Sequence, residues 1–367
     1  MKSLAIFGAT GSVGKSALRV YEKNKKNFNL VYLSAHTNYK KLALYKKKYN
    51  PKKIILTSSN IKINNKNLST FSSILKNRKK IDFCISGVSG FEALHFNLKL
   101  LKISKKLLIA NKETIICGGK FFLDEAKKNN CEIIPIDSEH YCIDYFFNFF
   151  KDKKLIEKVY IIASGGPFLR KKIRYNENIR NVLNHPTWKM GNKIMVDSSN
   201  LSNKVMELFE AKILFNIPGD KLKILIENTS KIHAIIELKN KMYFPIMHVP
   251  NMQIPIAGGL NLNNKFSLKL EKLKIELIRE NSKKFPVTNL GYKILKLNNH
   301  SLMIFFTVFN EKLVKMYLEN QIKYGDVINY LLKAFKNKKI NKYLKIKIKT
   351  LKDVFETIDI AKNTKII

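Results

Sequence analysis

The sequence predicts an α/β chain with an N-terminal doubly wound parallel sheet, a central α+β region and a C-terminal helical region. Three observations predict it. Through the first 125 residues short apolar runs alternate with Lys-rich stretches long enough for helices, the pattern of βα units. A Gly-rich turn follows the first run at once, at Gly8 to Gly14. Apolar residues recur at three- and four-residue spacing from Leu302 to Phe335, as helices packed on one another require.

The strands of the first region, 1–125, are expected at Leu4–Phe7, Leu30–Ala35, Ile54–Thr57, Ile81–Ser86 and Leu107–Ala110. The central region, 126–255, carries the apolar runs Val159–Ala163, Lys223–Ile226 and His233–Leu238 among loops bearing Gly and Pro. Residues 256–275, with Ile-Ala-Gly-Gly-Leu-Asn-Leu-Asn-Asn-Lys, lack either periodicity and read as a linker. The helical region is 276–367, and no internal repeat is visible.

At 367 residues, 45% of them apolar, the chain can bury more than one core. Its formal net charge is +40, which raises nucleic acid or an anionic membrane as a partner. Six of the 68 basic residues are Arg and 62 are Lys, whereas specific phosphate and base recognition leans on the Arg fork. The Lys residues are spread through every segment, so solvated ammonium tips are expected, with no nucleic acid and no membrane as partner. Cys84, Cys117, Cys131 and Cys142 form no C-x-x-C pair and no zinc spacing, which points to a reduced setting. Met1-Lys2 runs straight into Leu4–Phe7, leaving no room for a cleavable signal. No run approaches the roughly 20 apolar residues that span a bilayer, so a soluble, cytoplasmic protein is expected.

Gly8-Ala-Thr10-Gly11-Ser12-Val13-Gly14 sits between a strand and an amphipathic helix. Small residues there let backbone N–H groups and a helix N-terminus approach a pyrophosphate, the Rossmann-like arrangement; alone, the spacing also suits a tight turn without a ligand. At the end of the second strand, Ser34-Ala35-His36-Thr37-Asn38 offers hydroxyl, amide and imidazole groups and no acid. A ribose 2′-phosphate, and hence NADP, suits such a turn better than the bare 2′-hydroxyl that an acid would take.

Asn111-Lys112-Glu113 follows the last strand of the first region; it is either a cofactor- and substrate-facing turn or a solvated helix start. Asp137-Ser138-Glu139 follows the run Ile133–Ile136. Carboxylates at i and i+2 on an extended segment point to one side, and a donor set of acids without thiols suits Mg²⁺ or Mn²⁺; the alternative is a helix N-cap with an exposed acid pair. Glu207 lies at i+4 from Asn203 and i+3 from Lys204, one helical face, and Ser198 is expected near the start of that helix. Ser164-Gly165-Gly166-Pro167-Phe168 has the composition of an anion nest or of a plain turn. His185-Pro-Thr-Trp188-Lys-Met190-Gly191 holds the one Trp of the chain in a segment suited to a water-excluding lid.

In this order the segments resemble the 1-deoxy-D-xylulose 5-phosphate reductoisomerase family over nearly the whole chain. The motifs that carry the resemblance are Gly-Ala-Thr-Gly-Ser-Val-Gly, Ala-Asn-Lys-Glu-Thr, Pro-Ile-Asp-Ser-Glu-His, Ser-Gly-Gly-Pro-Phe, His-Pro-Thr-Trp-Lys-Met-Gly and Val-Asp-Ser-(x)₄-Asn-Lys-(x)₂-Glu. The resemblance implies an NADPH-dependent, divalent-cation-dependent homodimer that rearranges and reduces a phosphorylated hydroxyketone. It implies Asp137, Glu139 and Glu207 as ligands of Mg²⁺, Mn²⁺ or Co²⁺, which with Lys112 form the catalytic set. It implies Lys112, Ser138, Glu139, Ser164, His185, Ser198, Asn203, Lys204 and Glu207 around the substrate. Thr10, Gly11, Ser12, Val13, His36, Thr37, Asn38, Asn111, Glu113 and Gly191 would line the NADPH site, making 1–125 the NADPH-binding domain and 126–255 the catalytic domain. The sequence departs from the family pattern at Glu227 to His233, His36, His248 and Asn251, and over most of the C-terminal region apart from Asn310-Glu311.

Two rival readings are weaker. A short-chain dehydrogenase needs a Tyr-x-x-x-Lys pair, and Tyr21/Lys25 and Tyr292/Lys296 have that spacing, as chance provides with 62 Lys. A nucleic-acid binder would explain the charge but not three acids kept beside Ser, Asn and Lys.

Overall fold

The computed structural model describes residues 1–58, 68–69, 71–76, 79–188, 190–263, 266, 268, 274–338 and 345–366. Lys189 of the Trp segment and much of the linker expected at 256–275 lie outside the described residues. The chain forms two compact units, one of residues 1–114, 122–141 and 251–266, the other of 115–121, 142–250 and 267–367.

The first unit follows a β/α alternation: β1 (Lys2–Phe7), α1 (Ser12–Lys23), β2 (Phe28–Ala35), α2 (Tyr39–Tyr49), β3 (Lys53–Leu56), β4 (Leu68–Ser69), α3 (Phe71–Leu75), β5 (Ile81–Ser86), α4 (Ala93–Ile103), β6 (Ser104–Ile109), α5 (Lys112–Lys128), β7 (Glu132–Pro135) and the start of α6 (Ser138–Phe149). Among the described residues the strands make a seven-stranded sheet in the order β4-β3-β2-β1-β5-β6-β7. Every neighbouring pair is parallel. Its strands are buried nearly end to end, as the runs Leu4 to Phe7 and Leu107 to Ile109 show at 0% exposure, because helices cover both faces of a parallel sheet. The expected strands all lie in or against this sheet.

Strand β7 pairs with β6, Leu107 opposite Ile133 and Ile109 opposite Pro135. Residues 126–141, divided by sequence into the central region, therefore fall mostly in the first unit. So do residues 251–266, since α10 (Gln253–Gly259) packs on α1, and Ile256, Ala257 and Leu260 join the core of Leu4, Leu18, Leu33 and Ile85. The linker drawn from 256 thus begins inside a buried helix; its Gly-Gly pair hid the helical period. Gly258 and Gly259 are there for packing, as a Cβ on Gly258 would lie 1.9 Å from the Tyr141 hydroxyl oxygen.

The second unit contains β8 (Ile156–Ala163), α7 (Ile179–Val182), α8 (Asn192–Ser199), α9 (Ser202–Phe215), β9 (Leu222–Ile226), β10 (Ile232–Leu238), β11 (Tyr243–Met247), β12 (Ile278–Arg279), α11 (Pro286–Leu297), α12 (His300–Leu318), α13 (Tyr324–Lys336) and α14 (Leu351–Asn363). Its sheet runs β11-β10-β8-β9-β12, mixed because β8 and β9 are parallel while β10 is antiparallel to β8 and β11. Helix α12 is buried from Ser301 through Asn310, with α13 and α14 packed on it. Phe306 meets Phe209 of α9 edge to face at 5.5 Å. The helical C-terminal region expected from sequence is present. No helix among the described residues is long and apolar enough to cross a membrane.

Candidate active site

In the first unit the candidate residues gather at the carboxyl ends of β1, β2, β6 and β7. The order of the sheet reverses at β1, with β2 on one side and β5 on the other, and such a switch point opens the crevice in which dinucleotides bind. Gly8 has φ +74°, and a Cβ on it would stand 2.7 Å from the Gly87 oxygen; one on Gly14 would stand 2.3 Å from the Gly8 oxygen. The turn is therefore closed to side chains at both positions. The Ser34 hydroxyl accepts from the Gly8 N–H at 3.0 Å, and the Ser34 carbonyl accepts from Ala9 at 2.7 Å. Helix α1 has no side-chain cap, which leaves the amides after exposed Gly11 and Ser12 for an anion. Gly87, which sets the floor of the turn, was not singled out by sequence; the signal available was the Ser-Gly-Val-Ser-Gly turn after β5.

His36, Thr37 and Asn38 lie exposed at the end of β2. The His36 Nδ1 is 3.1 Å from Thr57 Oγ1, and Asn38 caps α2 by accepting from the Lys41 N–H at 3.1 Å. At the end of β6, Asn111, Lys112 and Glu113 are 4%, 4% and 6% exposed, so the reading of a solvated helix start does not hold. Asn111 caps α5 through Thr114 N–H at 2.6 Å and donates from Nδ2 to Glu113 Oε2 at 3.0 Å.

At the end of β7 the extended geometry expected for Asp137 to Glu139 is corrected. Helix α6 begins at Ser138, and the Asp137 carbonyl accepts from the Tyr141 N–H at 2.8 Å. The acids flank a helix start, and Ser138 Oγ donates to Glu139 Oε2 at 2.6 Å. Asp137 Oδ2 pairs with Lys112 Nζ at 2.9 Å. Burial pushes the Asp137 carboxyl up, but the Lys112 ammonium, with the His140 imidazole 3.7 Å away, holds it well below the usual range, an ionised hard-oxygen donor.

In the second unit, Ser164 stands at the end of β8, followed by Gly165 at φ +80° and Gly166 at φ +61°. His185 Nδ1 accepts from the N–H groups of Thr187 and Trp188 at 3.2 and 3.1 Å. The proton of the neutral ring therefore sits on Nε2, which donates to Ser164 Oγ at 2.8 Å. Ser164 Oγ also accepts from Gly166 N–H at 3.3 Å; with both lone pairs used, the hydroxyl is left as a donor. Burial and the Lys204 charge pull His185 down to about 4.

Ser198 closes α8 rather than opening the helix of Glu207 as expected; Leu201, at φ +66°, breaks the chain between α8 and α9. Asn203, Lys204 and Glu207 do share one face of α9. Asn203 Nδ2 and Lys204 Nζ reach the two Glu207 oxygens at 2.5 and 2.8 Å, with Glu207 1% exposed. Gly191 is the N-cap of α8, with open space where a Cβ would stand. Helix α8 is tied down by buried Asp197, which accepts from Asn310 Nδ2 at 2.7 Å and pairs with Lys193 at 3.1 Å.

Of the departures from the family pattern, the Glu227 segment is locally paired, whereas the buried His248 Nε2 has no hydrogen-bond partner among the described residues. Fully buried Glu227 accepts from the N–H and Oγ1 of Thr229 at 2.8 and 2.9 Å. Ser230 meets Thr187 Oγ1 at 2.7 Å. His248 stacks on His233 at 3.7 Å, with Trp188 edge-on to His233 at 6.3 Å. The rival Tyr-x-x-x-Lys pairs do not form such a site: Tyr21 is buried in α1, and the Tyr292 hydroxyl accepts from the Ile224 N–H at 3.0 Å.

A parallel sheet with a phosphate-type turn at its switch point, together with acids, Lys and hydroxyls at strand and helix ends, defines a nucleotide-dependent oxidoreductase. Comparison with known proteins gives the family. The model described as 1-deoxy-D-xylulose 5-phosphate reductoisomerase matches residues 4–119, and the two C-terminal domain models of the same enzyme match 133–215 and 247–364. The 1-deoxy-D-xylulose 5-phosphate reductoisomerase of Pelagibacter ubique is 37% identical over 377 residues, 96% of each chain; that of Clostridium novyi is 32% identical over 93% of this chain and 94% of its own. A crystal structure of DOX-P reductoisomerase with NADPH, fosmidomycin and magnesium is similar at TM-score 0.89 and 25% identity, over 99% of this chain and 97% of that one. The Zymomonas mobilis reductoisomerase in complex with NADPH gives 0.86 and 25%, over 98% and 97%. The chain belongs to the 1-deoxy-D-xylulose 5-phosphate reductoisomerase family.

Proposed function

We propose that this chain converts 1-deoxy-D-xylulose 5-phosphate to 2-C-methyl-D-erythritol 4-phosphate with NADPH and a divalent cation, in the non-mevalonate route to isoprenoid precursors. The observation that carries this is kinship along the full length of both chains, 96% of each. The first unit is the NADPH-binding one, through Thr10 to Val13, His36 to Asn38, Asn111 and Glu113, with Gly191 added from the second. Asp137, Glu139 and Glu207 hold the cation. This donor set is oxygen only, and Asp137 is kept ionised, so it fits Mg²⁺, Mn²⁺ or Co²⁺.

When bound, the cation polarises the ketone and stabilises negative charge on its oxygen while the skeleton rearranges, and NADPH supplies hydride to the resulting aldehyde. The chain's own groups bind and orient. Ser164, donating its hydroxyl proton, takes a phosphate oxygen with Ser198, Asn203 and Lys204, and His185 belongs to the same subsite behind it. Neutral His185 can pass its Nε2 proton toward the phosphate only by releasing Ser164, so its part is to orient that hydroxyl. Lys112 and Ser138 meet the polar carbons of the substrate, and Trp188 with Met190 excludes water from the reacting fragments. A homodimer working in the cytoplasm completes the reading.

The test follows NADPH absorbance with purified protein, 1-deoxy-D-xylulose 5-phosphate and Mg²⁺ or Mn²⁺. Oxidation should require both substrate and cation, stop with a chelator and return with excess cation. Oxidation without substrate, or indifference to the chelator, would sink the proposal.

A further inference from the structure

We infer that Asn97 is a positioning residue for the cofactor-binding turn Asn111 to Glu113, acting through a buried chain of hydrogen bonds that starts at the end of β5. The inference rests on the reading of Asn111 and Glu113 as NADPH contacts. Asn97 lies within α4 and is 0% exposed, as are Ser86 and Thr114. An apolar residue would be the less costly choice in that position, since Leu94, Leu100 and Leu101 of the same helix are also buried. A buried amide persists only where its polar groups are paired. Here both are. Ser86 Oγ donates to Asn97 Oδ1 at 2.7 Å, and Asn97 Nδ2 donates to Thr114 Oγ1 at 2.8 Å.

Thr114 carries the restraint onward. Its N–H donates to Asn111 Oδ1 at 2.6 Å, which turns the Asn111 amide so that Nδ2 faces the Gly90 carbonyl at 3.1 Å and Glu113 Oε2 at 3.0 Å. Both ends of the chain therefore belong to the crevice: Ser86 pairs in register with Phe7 at the foot of the phosphate turn, and Asn111 and Glu113 stand at the end of β6. Without the Asn97 amide, Ser86 and Thr114 are left with buried hydroxyls in search of partners, and the cap of α5 is free to turn.

The experiment titrates NADPH into the full chain by fluorescence, with chemical unfolding measured alongside, for Asn97→Leu, Thr114→Val, the double variant and Thr114→Ser. Each of the first two should raise the NADPH Kd about tenfold, the double should match the weaker single within about twofold because one link is broken in all three, and Thr114→Ser should bind like the parent. If Asn97→Leu does not fold, Thr114→Val against Thr114→Ser carries the same comparison. An NADPH Kd within about twofold of the parent in both single variants, with or without lower stability, overturns the inference, as does a double variant about a hundredfold weaker. A parent chain that does not bind NADPH overturns the cofactor reading itself, an outcome distinct from variants that leave binding intact.

Discussion

Replacing Gly166 and Gly165 one at a time by Ala separates backbone strain from displacement of the candidate phosphate subsite. Both residues sit in the left-handed region, at φ +61° and +80°, so either Ala carries a strain of about 1 kcal/mol. Their surroundings differ. A Cβ on Gly165 would come within 2.8 Å of Leu169 side-chain atoms, whereas one on Gly166 would come within 2.8 Å of the Ser198 carbonyl oxygen and 3.2 Å of the Ser199 Cα. Leu169 can swing its methyl groups away by a rotamer change, and its Cβ, 2.9 Å off, can be relieved by a small shift of the turn. The Ser198 backbone cannot move alone, because α8 is anchored next door by Asp197 on Asn310. To regain ordinary contact Ser198 must shift by several tenths of an ångström, which adds about 1 kcal/mol of strain and misplaces a hydroxyl that proposed substrate binding needs. Chemical unfolding should therefore show a loss of about 1 kcal/mol for Gly165→Ala and about 2 kcal/mol for Gly166→Ala. In steady-state kinetics only Gly166→Ala should raise KM for the phosphorylated substrate, by about tenfold, with the NADPH KM unchanged. Equal substrate KM values in the two variants would refute the reasoning, because strain alone would then account for both.

Further outcomes follow from other parts of the site. Glu207→Gln keeps a partner for Asn203 but removes a proposed cation ligand; turnover should fall by at least about three orders of magnitude, and retained Mg²⁺-dependent activity would remove Glu207 from the ligand set. For Gly14→Ala, whose Cβ would sit 2.3 Å from the Gly8 oxygen, NADPH binding measured by fluorescence should be lost while the second unit keeps its fold by hydrogen exchange. His185, pulled down to about 4 from the usual 6.5, should show no titration of its ring protons by NMR from neutral pH down to about 5. The sign for stability follows: above the unfolded value both states are neutral, and as pH falls below it the unfolded chain binds a proton that the folded one refuses, so stability declines toward pH 4. Lys204→Met, which removes the like charge, should raise the His185 midpoint.

The strands and the phosphate turn were legible because parallel-sheet strands are apolar along their whole length and the turn needs Gly at fixed places. The order of the strands was not legible. Nothing local in Glu132–Pro135 says that it pairs with β6, and its four residues read equally well as the start of a new domain. Helix α10 was hidden for a related reason: its Gly-Gly pair looks like a linker until Tyr141, more than a hundred residues away, is placed against it. At the site, the face shared by Asn203, Lys204 and Glu207 followed from helical spacing alone. The position of Ser198 did not, since the break between α8 and α9 depends on Leu201 adopting φ +66°, a conformation that no sequence rule assigns to Leu.

Burial is what turns a common tripeptide into chemistry here. In a chain with 62 lysines, Asn-Lys-Glu taken by itself says little as text, and most Lys side chains are solvated. Lys112 differs because the sheet order β1-β5-β6-β7 sets the end of β6 beside the end of β7. Its ammonium then lies 2.9 Å from the Asp137 carboxylate, with the two side chains 5% and 13% exposed. Removed from water, the pair orients both groups and keeps Asp137 ionised against the cost of its own burial.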